Sequence, residues 1–323
     1  MRIESIRPVC NDSALIESRN RSLGIYNFLF SCQLKINPNP PPYKTHLQQT
    51  SIFPEKQPPT KMTTQNDIAK HFRTLHSPQD PLILTNIYDA SSASVIASLP
   101  TTRAIATASF AVAATLGVDD EDLTKAQNLS ALKTIVSTVR RINPTLPVTV
   151  DLQDGYGNDL PALAATIKDA IALGAVGCNI EDMDNAAGTL RPLDEAVARV
   201  RTVVEAAREA GCPDFALNAR TDVLFQVGKT LEDALERGRA FLEAGAWTVF
   251  VWGGPGGRGV SREEVQVLVR ELQGRVNVKM NLREGFLGVE EIRELGVARV
   301  SLGPELWKCA MKAVKEQAEL LLK

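Results

Sequence analysis

Three stretches of this 323-residue chain put charged and amide side chains directly after short apolar runs: Asp151-Leu-Gln-Asp-Gly-Tyr-Gly157, Asn179-Ile-Glu-Asp182 and Asn218-Ala-Arg-Thr-Asp222. Carboxylates gathered at neighbouring strand ends repel one another unless a cation or an arginine lies between them. Asp151, Glu181 and Arg220 are therefore candidates for a charged site, and Asp154, Asp182 and Asp222 for caps of the helices that follow. All three histidines (His46, His71, His76) precede Pro81, from which the regular alternation of apolar runs begins, and the five cysteines (Cys10, Cys32, Cys178, Cys212, Cys309) contain no CxxC pair. This argues against Ser-His-Asp hydrolysis, histidine-ligated zinc and histidine acid–base work. The oxygen donors that remain suit Mg2+, or Mn2+ in its place.

Positioning these residues requires a parallel sheet. From Pro81 onward, apolar runs alternate with amphipathic segments. Eight strands are predicted: Leu82–Asn86, Ala104–Thr107, Val148–Leu152, Val176–Ile180, Phe215–Ala219, Thr248–Val251, Val276–Met280 and Arg299–Leu302. Helices are predicted over Leu160–Leu173, Leu193–Ala210, Leu231–Ala244 and Arg262–Leu272, with C-cap glycines at Gly174, Gly211, Gly245, Gly274 and Gly296. Strands apolar throughout belong to a sheet covered on both faces. Eight repeats in this length predict an α/β fold, a (β/α)8 TIM-type barrel over residues 62–323, with its site at the C-terminal strand ends. Asn86, Asp89, Asn281, Ser301 and Gly303 fall at the same end. Tyr88 and Tyr156 are candidate proton donors.

Residues 1–61 read differently. Pro-rich segments such as Asn37-Pro-Asn-Pro-Pro-Pro42, with no apolar period, predict a disordered extension. Arg2, Arg7, Arg19 and Arg21 would suit a mitochondrial transit peptide, but Glu4, Asp12 and Glu17 do not, and Met62 is an alternative start. A cytoplasmic setting is expected, with a mitochondrial one as the alternative. With a net charge of −2 and no long apolar span, neither a nucleic-acid nor a membrane partner is expected.

Taken in order and spacing, the three polar stretches resemble the isocitrate lyase/phosphoenolpyruvate mutase superfamily. Asn86-Ile-Tyr-Asp-Ala, Thr107-Ala-Ser-Phe-Ala-Val-Ala with Leu116-Gly117, and Arg299-Val-Ser-Leu-Gly303 extend the resemblance over roughly residues 67–310. It implies Mg2+-dependent carbon–carbon cleavage of small 2-oxo or 2-hydroxy di- or tricarboxylic acids through an enolate-like intermediate. It also implies a homo-oligomer, commonly a tetramer. By position, the resemblance gives Asp151, Glu181 and Gln153 to the metal, and Arg220 to a substrate carboxylate. Ala108, Ser109 and Phe110 fall to a second carboxylate, with Asn218 and Asn281 lining the substrate. Asp120 and Tyr156 fall near the reacting centre.

Two departures qualify what is implied. Gln153 stands where the superfamily usually has an acid. The segment Met183-Asp-Asn-Ala-Ala-Gly-Thr-Leu-Arg191 carries neither the Cys/His loop of isocitrate and methylisocitrate lyases nor the gating loop of phosphonate mutases. Phosphonate C–P chemistry and a catalytically silent ligand-binding barrel are therefore the alternatives to a lyase. Gly253-Gly-Pro-Gly-Gly-Arg-Gly259 is a candidate phosphate cradle, and Trp252 a candidate wall of the pocket.

Overall fold

The computed structural model describes residues 63–253 and 259–323. The expectations for residues 1–61, and for most of the glycine run 253–259, fall outside the described residues. Eight parallel strands form where the continuous apolar runs predict them: β1 (Leu82–Ile87), β2 (Ile105–Thr107), β3 (Val148–Asp151), β4 (Gly177–Glu181), β5 (Ala216–Thr221), β6 (Thr248–Val251), β7 (Val276–Lys279) and β8 (Arg299–Ser301). They pair in sequence order and close into a barrel. β1 pairs with both ends of the series, Leu82 opposite Arg299 in β8 and Thr85 opposite Ile105 in β2.

Helices cover the outside: α1 (Gln65–Thr74), α2 (Ala90–Ala97), α3 (Ser109–Leu116), α4 (Lys125–Ile142), α5 (Leu160–Ala172), α6 (Leu193–Glu209), α7 (Leu231–Glu243), α8 (Arg262–Glu271), α9 (Val289–Glu294) and α10 (Glu305–Leu321). α5 shows why the pattern works. Asp159 accepts the Ala162 N–H (2.6 Å) as N-cap, Pro161 occupies the first turn, and Leu163, Ile167 and Ala170 form the buried stripe. The glycines after α5, α6, α7, α8 and α9 all adopt positive φ, which is cheap only for a residue without Cβ.

The N-terminal end of the barrel is closed by α1. A Thr64–Asp67 capping box starts this helix. Gln65 donates to the Ile171 and Ala175 carbonyls, and Arg73 to the Phe215 carbonyl (2.9 Å) while stacking on Trp247. These contacts hold Phe72, fully buried, under the strands. Gly177 makes room there: a Cβ would come within 2.6 Å of the Ala216 carbonyl and 2.9 Å of Phe72. The other end of the barrel is therefore the open one.

Candidate active site

At the C-terminal strand ends the barrel opens into a cavity of about 1060 Å3. It brings together Asp151, Glu181, Arg220, Asp120, Gln153 and Asn281, together with the Ala108–Phe110 segment. The chain delivers them by short steps, because β3, β4 and β5 are adjacent and end in register: Asp151 lies opposite Asn179, and Glu181 opposite Arg220.

Asp151 is oriented from two sides. One carboxylate oxygen accepts the Ser109 N–H at the start of α3 (3.2 Å), the other the Asn179 amide (3.1 Å). Asn179 is in turn held by Asn218, and Asn218 by Thr248, at 2.8 and 2.7 Å. Asn218 is thus a support one layer below, not a residue lining the cavity. The expectation for it is corrected: the inner layer of the barrel consumes its amide.

Glu181 pairs with Arg220 (2.7 Å) and accepts the Asn185 amide (2.9 Å). Arg220 also holds Asp222 in a two-pronged pair at 2.6 and 2.7 Å and lies 3.9 Å over the Trp252 ring. One guanidinium therefore serves two buried carboxylates, and a net negative charge is left over. Burial pushes Glu181 and Asp222 above the usual carboxylate range, with Arg220 opposing the rise in both and Asp151 adding to it. Burial would lower Arg220, but Asp222 and Glu181 outweigh it and raise it above its ordinary value.

Gln153 takes up a left-handed backbone conformation (φ 52°), which costs a residue with a Cβ on the order of 1 kcal/mol. Its amide donates to the Asp120 carbonyl (2.7 Å) and carboxylate (2.9 Å). Asp120 thus takes up the N–H groups of Gln153, and the amide oxygen is the atom that would accept a bond from a metal-bound water. Asp120 is raised above the usual carboxylate range by burial and by Asp151, with hydrogen bonds from Ser109 and Gln153 opposing.

Tyr156 is also corrected. Its hydroxyl accepts from Asn128 (2.8 Å), which also donates to the Asp151 carbonyl, and the ring packs behind the cavity wall. Tyr156 does not line the cavity and its hydroxyl is engaged by Asn128, so the phenol is a brace rather than a proton donor. Tyr88 does not line the cavity; Trp252 does. Asp154 and Asp182 prove to be ion-pair anchors instead of helix caps. Asp182 binds Arg237 (2.9 Å) and the Asp222 N–H (2.9 Å). Asp154 accepts the Tyr156 N–H and faces buried Arg191. Asn86 clamps β1 to its neighbours, donating to the Thr107 carbonyl and accepting the Leu302 and Gly303 N–H groups.

The donor set suits a hard divalent cation. Every donor on this wall is an oxygen or an amide, with neither thiolate nor imidazole, and the uncompensated negative charge calls for a cation. No closed cage is formed, however: among the described residues no three Asp, Glu, His or Cys side chains converge as a ligand set. A cation that keeps most of its own waters, as Mg2+ does, fits such an open wall.

Among the cavity residues that sequence reasoning passed over are Lys279 and Arg299. The signal was present: Asn277, Lys279 and Asn281 alternate with Val276, Val278 and Met280, and a polar period of two within an interior strand marks the face that looks into the barrel.

A family model described as phosphoenolpyruvate phosphomutase matches residues 72–322. The chain belongs to this family. It is 33% identical over 191 residues to the 2-methylisocitrate lyase of Escherichia coli (strain K12), covering 56% of this chain and 60% of that one. The chain spans between 55% and 60% of the length of three curated relatives that it matches. A solved structure from Burkholderia cenocepacia J2315, provisionally described as a phosphonomutase, is 37% identical with a TM-score of 0.71, covering 80% of this chain and 99% of that one. A 2,3-dimethylmalate lyase structure is 26% identical with a TM-score of 0.69, covering 79% and 87%. This is a family of enzymes, and the relatives named here are lyases and a mutase.

Proposed function

We propose that the protein is a Mg2+-dependent carbon–carbon lyase of a small 2-oxo or 2-hydroxy di- or tricarboxylic acid, working through an enolate-like intermediate. The observation that carries this reading is the wall formed by Asp120, Asp151 and Glu181: with Asp222 these carboxylates outnumber the two buried guanidiniums beside them, Arg220, which is shared with Asp222, and Arg299, which faces Asp151. Asp151 and Glu181 would hold the cation, with Mn2+ able to replace Mg2+. When bound, the cation supplies Lewis-acid polarisation of the substrate oxygen.

The chain's own side chains do the rest. Ser109 and Asn179 fix Asp151, and Asn185 and Arg220 fix Glu181, so the acids reach the substrate in one geometry. At the start of α3 the Ser109 N–H is taken by Asp151, so the Phe110 N–H is the group that would meet a second substrate carboxylate there. Arg220, set 3.9 Å over the Trp252 ring, would offset developing negative charge, and Asp120 is the carboxylate left to exchange a proton.

The test is turnover of oxaloacetate, substituted malates, 2-methylisocitrate and phosphonopyruvate with and without Mg2+. Cleavage of a carboxylic acid that stops with excess chelator is expected; full activity in chelator contradicts the proposal. C–P chemistry is the second reading, supported by the likeness to the Burkholderia structure. Phosphorus NMR decides it, since a spectrum of phosphonopyruvate unchanged by the protein excludes it. Ligand binding with no turnover of any panel member would favour a silent barrel.

We also propose a homo-oligomer, a tetramer by resemblance, in the cytoplasm. Of the seventeen residues in α10 only Glu305 is buried, and Met311, Val314, Leu320 and Leu321 are exposed, so a second copy would cover an apolar face. Light scattering on the purified protein reads the mass directly. Among the described residues no helix is long and apolar enough to cross a membrane.

A further inference from the structure

The charges around the cavity are sorted by sector. Asp119, Asp120, Asp151 and Glu181 come from the β2, β3 and β4 ends, whereas Lys279, Arg283 and Lys308 come from β7, the segment after it and α10. In a ring of eight strands paired in sequence order, β3 stands opposite β7 and β4 opposite β8. An acidic wall thus faces a basic one across the same space.

The basic wall is constructed rather than incidental. Lys279 is the last residue of β7, and its stem runs past Gly303, where a Cβ would approach the lysine Cε to 3.1 Å. Its ammonium donates to Asn281 Oδ1 (3.0 Å) and pairs with Glu305 (3.3 Å). Glu305 is buried and also takes Lys308 (3.0 Å), so two lysines share one carboxylate. Burial would raise Glu305, but the two lysines hold it below its ordinary value. One positive charge is left over. Arg283, exposed and set over Phe286, adds a further cation at the outer rim. Arg220 cannot play the same part, because Glu181 and Asp222 already occupy it.

We infer that Lys279 and Lys308 form a distal anion site that takes a second carboxylate of the substrate, the one remote from the reacting end. This deepens the function proposed above and rests on it, because the acidic wall must hold the reacting end through the cation. The leftover charge matches a carboxylate monoanion rather than a phosphoryl dianion. The cavity, at about 1060 Å3, has room for an acid that reaches from one wall towards the other. Lys279 becomes the residue that distinguishes dicarboxylic from monocarboxylic 2-oxo acids.

A matched pair of probes tests this: 2-oxoglutarate and 2-oxopentanoate share a head and a chain length and differ only in the terminal carboxylate. Neither carries a carboxylate β to its ketone, so decarboxylative cleavage does not consume them. Calorimetry on the full-length protein with Mg2+ should show 2-oxoglutarate binding about tenfold more tightly. Lys279→Met, which keeps the stem and removes the charge, should bring the two affinities within about twofold while leaving 2-oxopentanoate unchanged. Lys308→Gln should narrow the gap by a smaller factor. Equal affinities in the wild type, or an undiminished gap in Lys279→Met, overturn the distal site and leave the metal-bound head standing. If neither probe binds, the head reading falls and this one falls with it. Phosphonopyruvate binding more tightly than 2-oxoglutarate, with the advantage lost in Lys279→Met, would overturn the assignment to a carboxylate.

Discussion

At the N-terminal end of the barrel, Phe72 is fully buried against Gly177, and Arg73 beside it donates to the Phe215 carbonyl. At the C-terminal end, Asp120, Asp151 and Glu181 line one large cavity, with Arg220 held between Glu181 and Asp222. The first arrangement lowers the free energy of the fold. The second raises it, since charges taken out of water are repaid only in part by one another. A barrel that spends stability at one end and gains it at the other separates the task of folding from the task of binding, and substitutions at the two ends should fail in different ways.

The sharpest contrast is expected at Asp151. Asp151→Ala should lower turnover of whichever panel acid is cleaved by at least about a thousandfold, because a fixed charge at the reacting centre is lost. Circular dichroism and thermal midpoint should stay close to wild type. Unfolding of this variant would erase the contrast. The converse substitution is Phe72→Ala, expected to cost about 3–5 kcal/mol of stability through the cavity it leaves. Urea denaturation reads that loss, and the fraction that remains folded should bind ligand as before.

His76 sharpens the comparison by pH. It lies against Phe72 at the closed end, with one ring nitrogen facing the Phe72 carbonyl (2.9 Å) and the other buried without a partner. Burial, with Arg299 adding to it, holds its pKa down to about 3. The folded value is depressed, so the unfolded chain takes the proton first. The contribution is whole above about pH 6.5 and is lost as the pH falls towards the folded value. Between pH 6.5 and 5 this amounts to roughly 2 kcal/mol. Denaturation of His76→Gln across that range should give a flatter dependence than wild type; parallel curves would remove His76 from the account. The smallest effect belongs to Asp159, the N-cap of α5. Asp159→Ala should lower stability by about 1 kcal/mol in thermal melts and leave turnover alone.

How much of this could be read in the sequence follows from the same division. Strands covered on both faces are largely apolar, so all eight were legible to within two residues, and the helices between them carried period and caps. α3 was missed as a helix because Ser109-Phe-Ala-Val-Ala-Ala-Thr-Leu116 is apolar on most sides and has no face to detect. The Met183–Leu190 hairpin was missed for another reason: it is held from outside by Arg191, buried among Asp154, Asp184 and Glu195. At the site, the types of Asp151, Glu181 and Arg220 and their place after strands were enough to bring them forward. The partners were not legible. That Gln153 would turn to Asp120, Tyr156 to Asn128 and Asn218 to Asn179 depends on which side chains the closed barrel brings within hydrogen-bond reach, and no spacing along the chain encodes it.

The most direct test of a cation-binding wall at the open end is a Mn2+ titration followed by electron paramagnetic resonance. The account expects one bound Mn2+ per chain in the wild type, displaced by Mg2+, and loss of that binding in Asp151→Ala while Phe72→Ala retains it in its folded fraction. Absence of a bound ion in the wild type, or the same stoichiometry and affinity in Asp151→Ala, would contradict it.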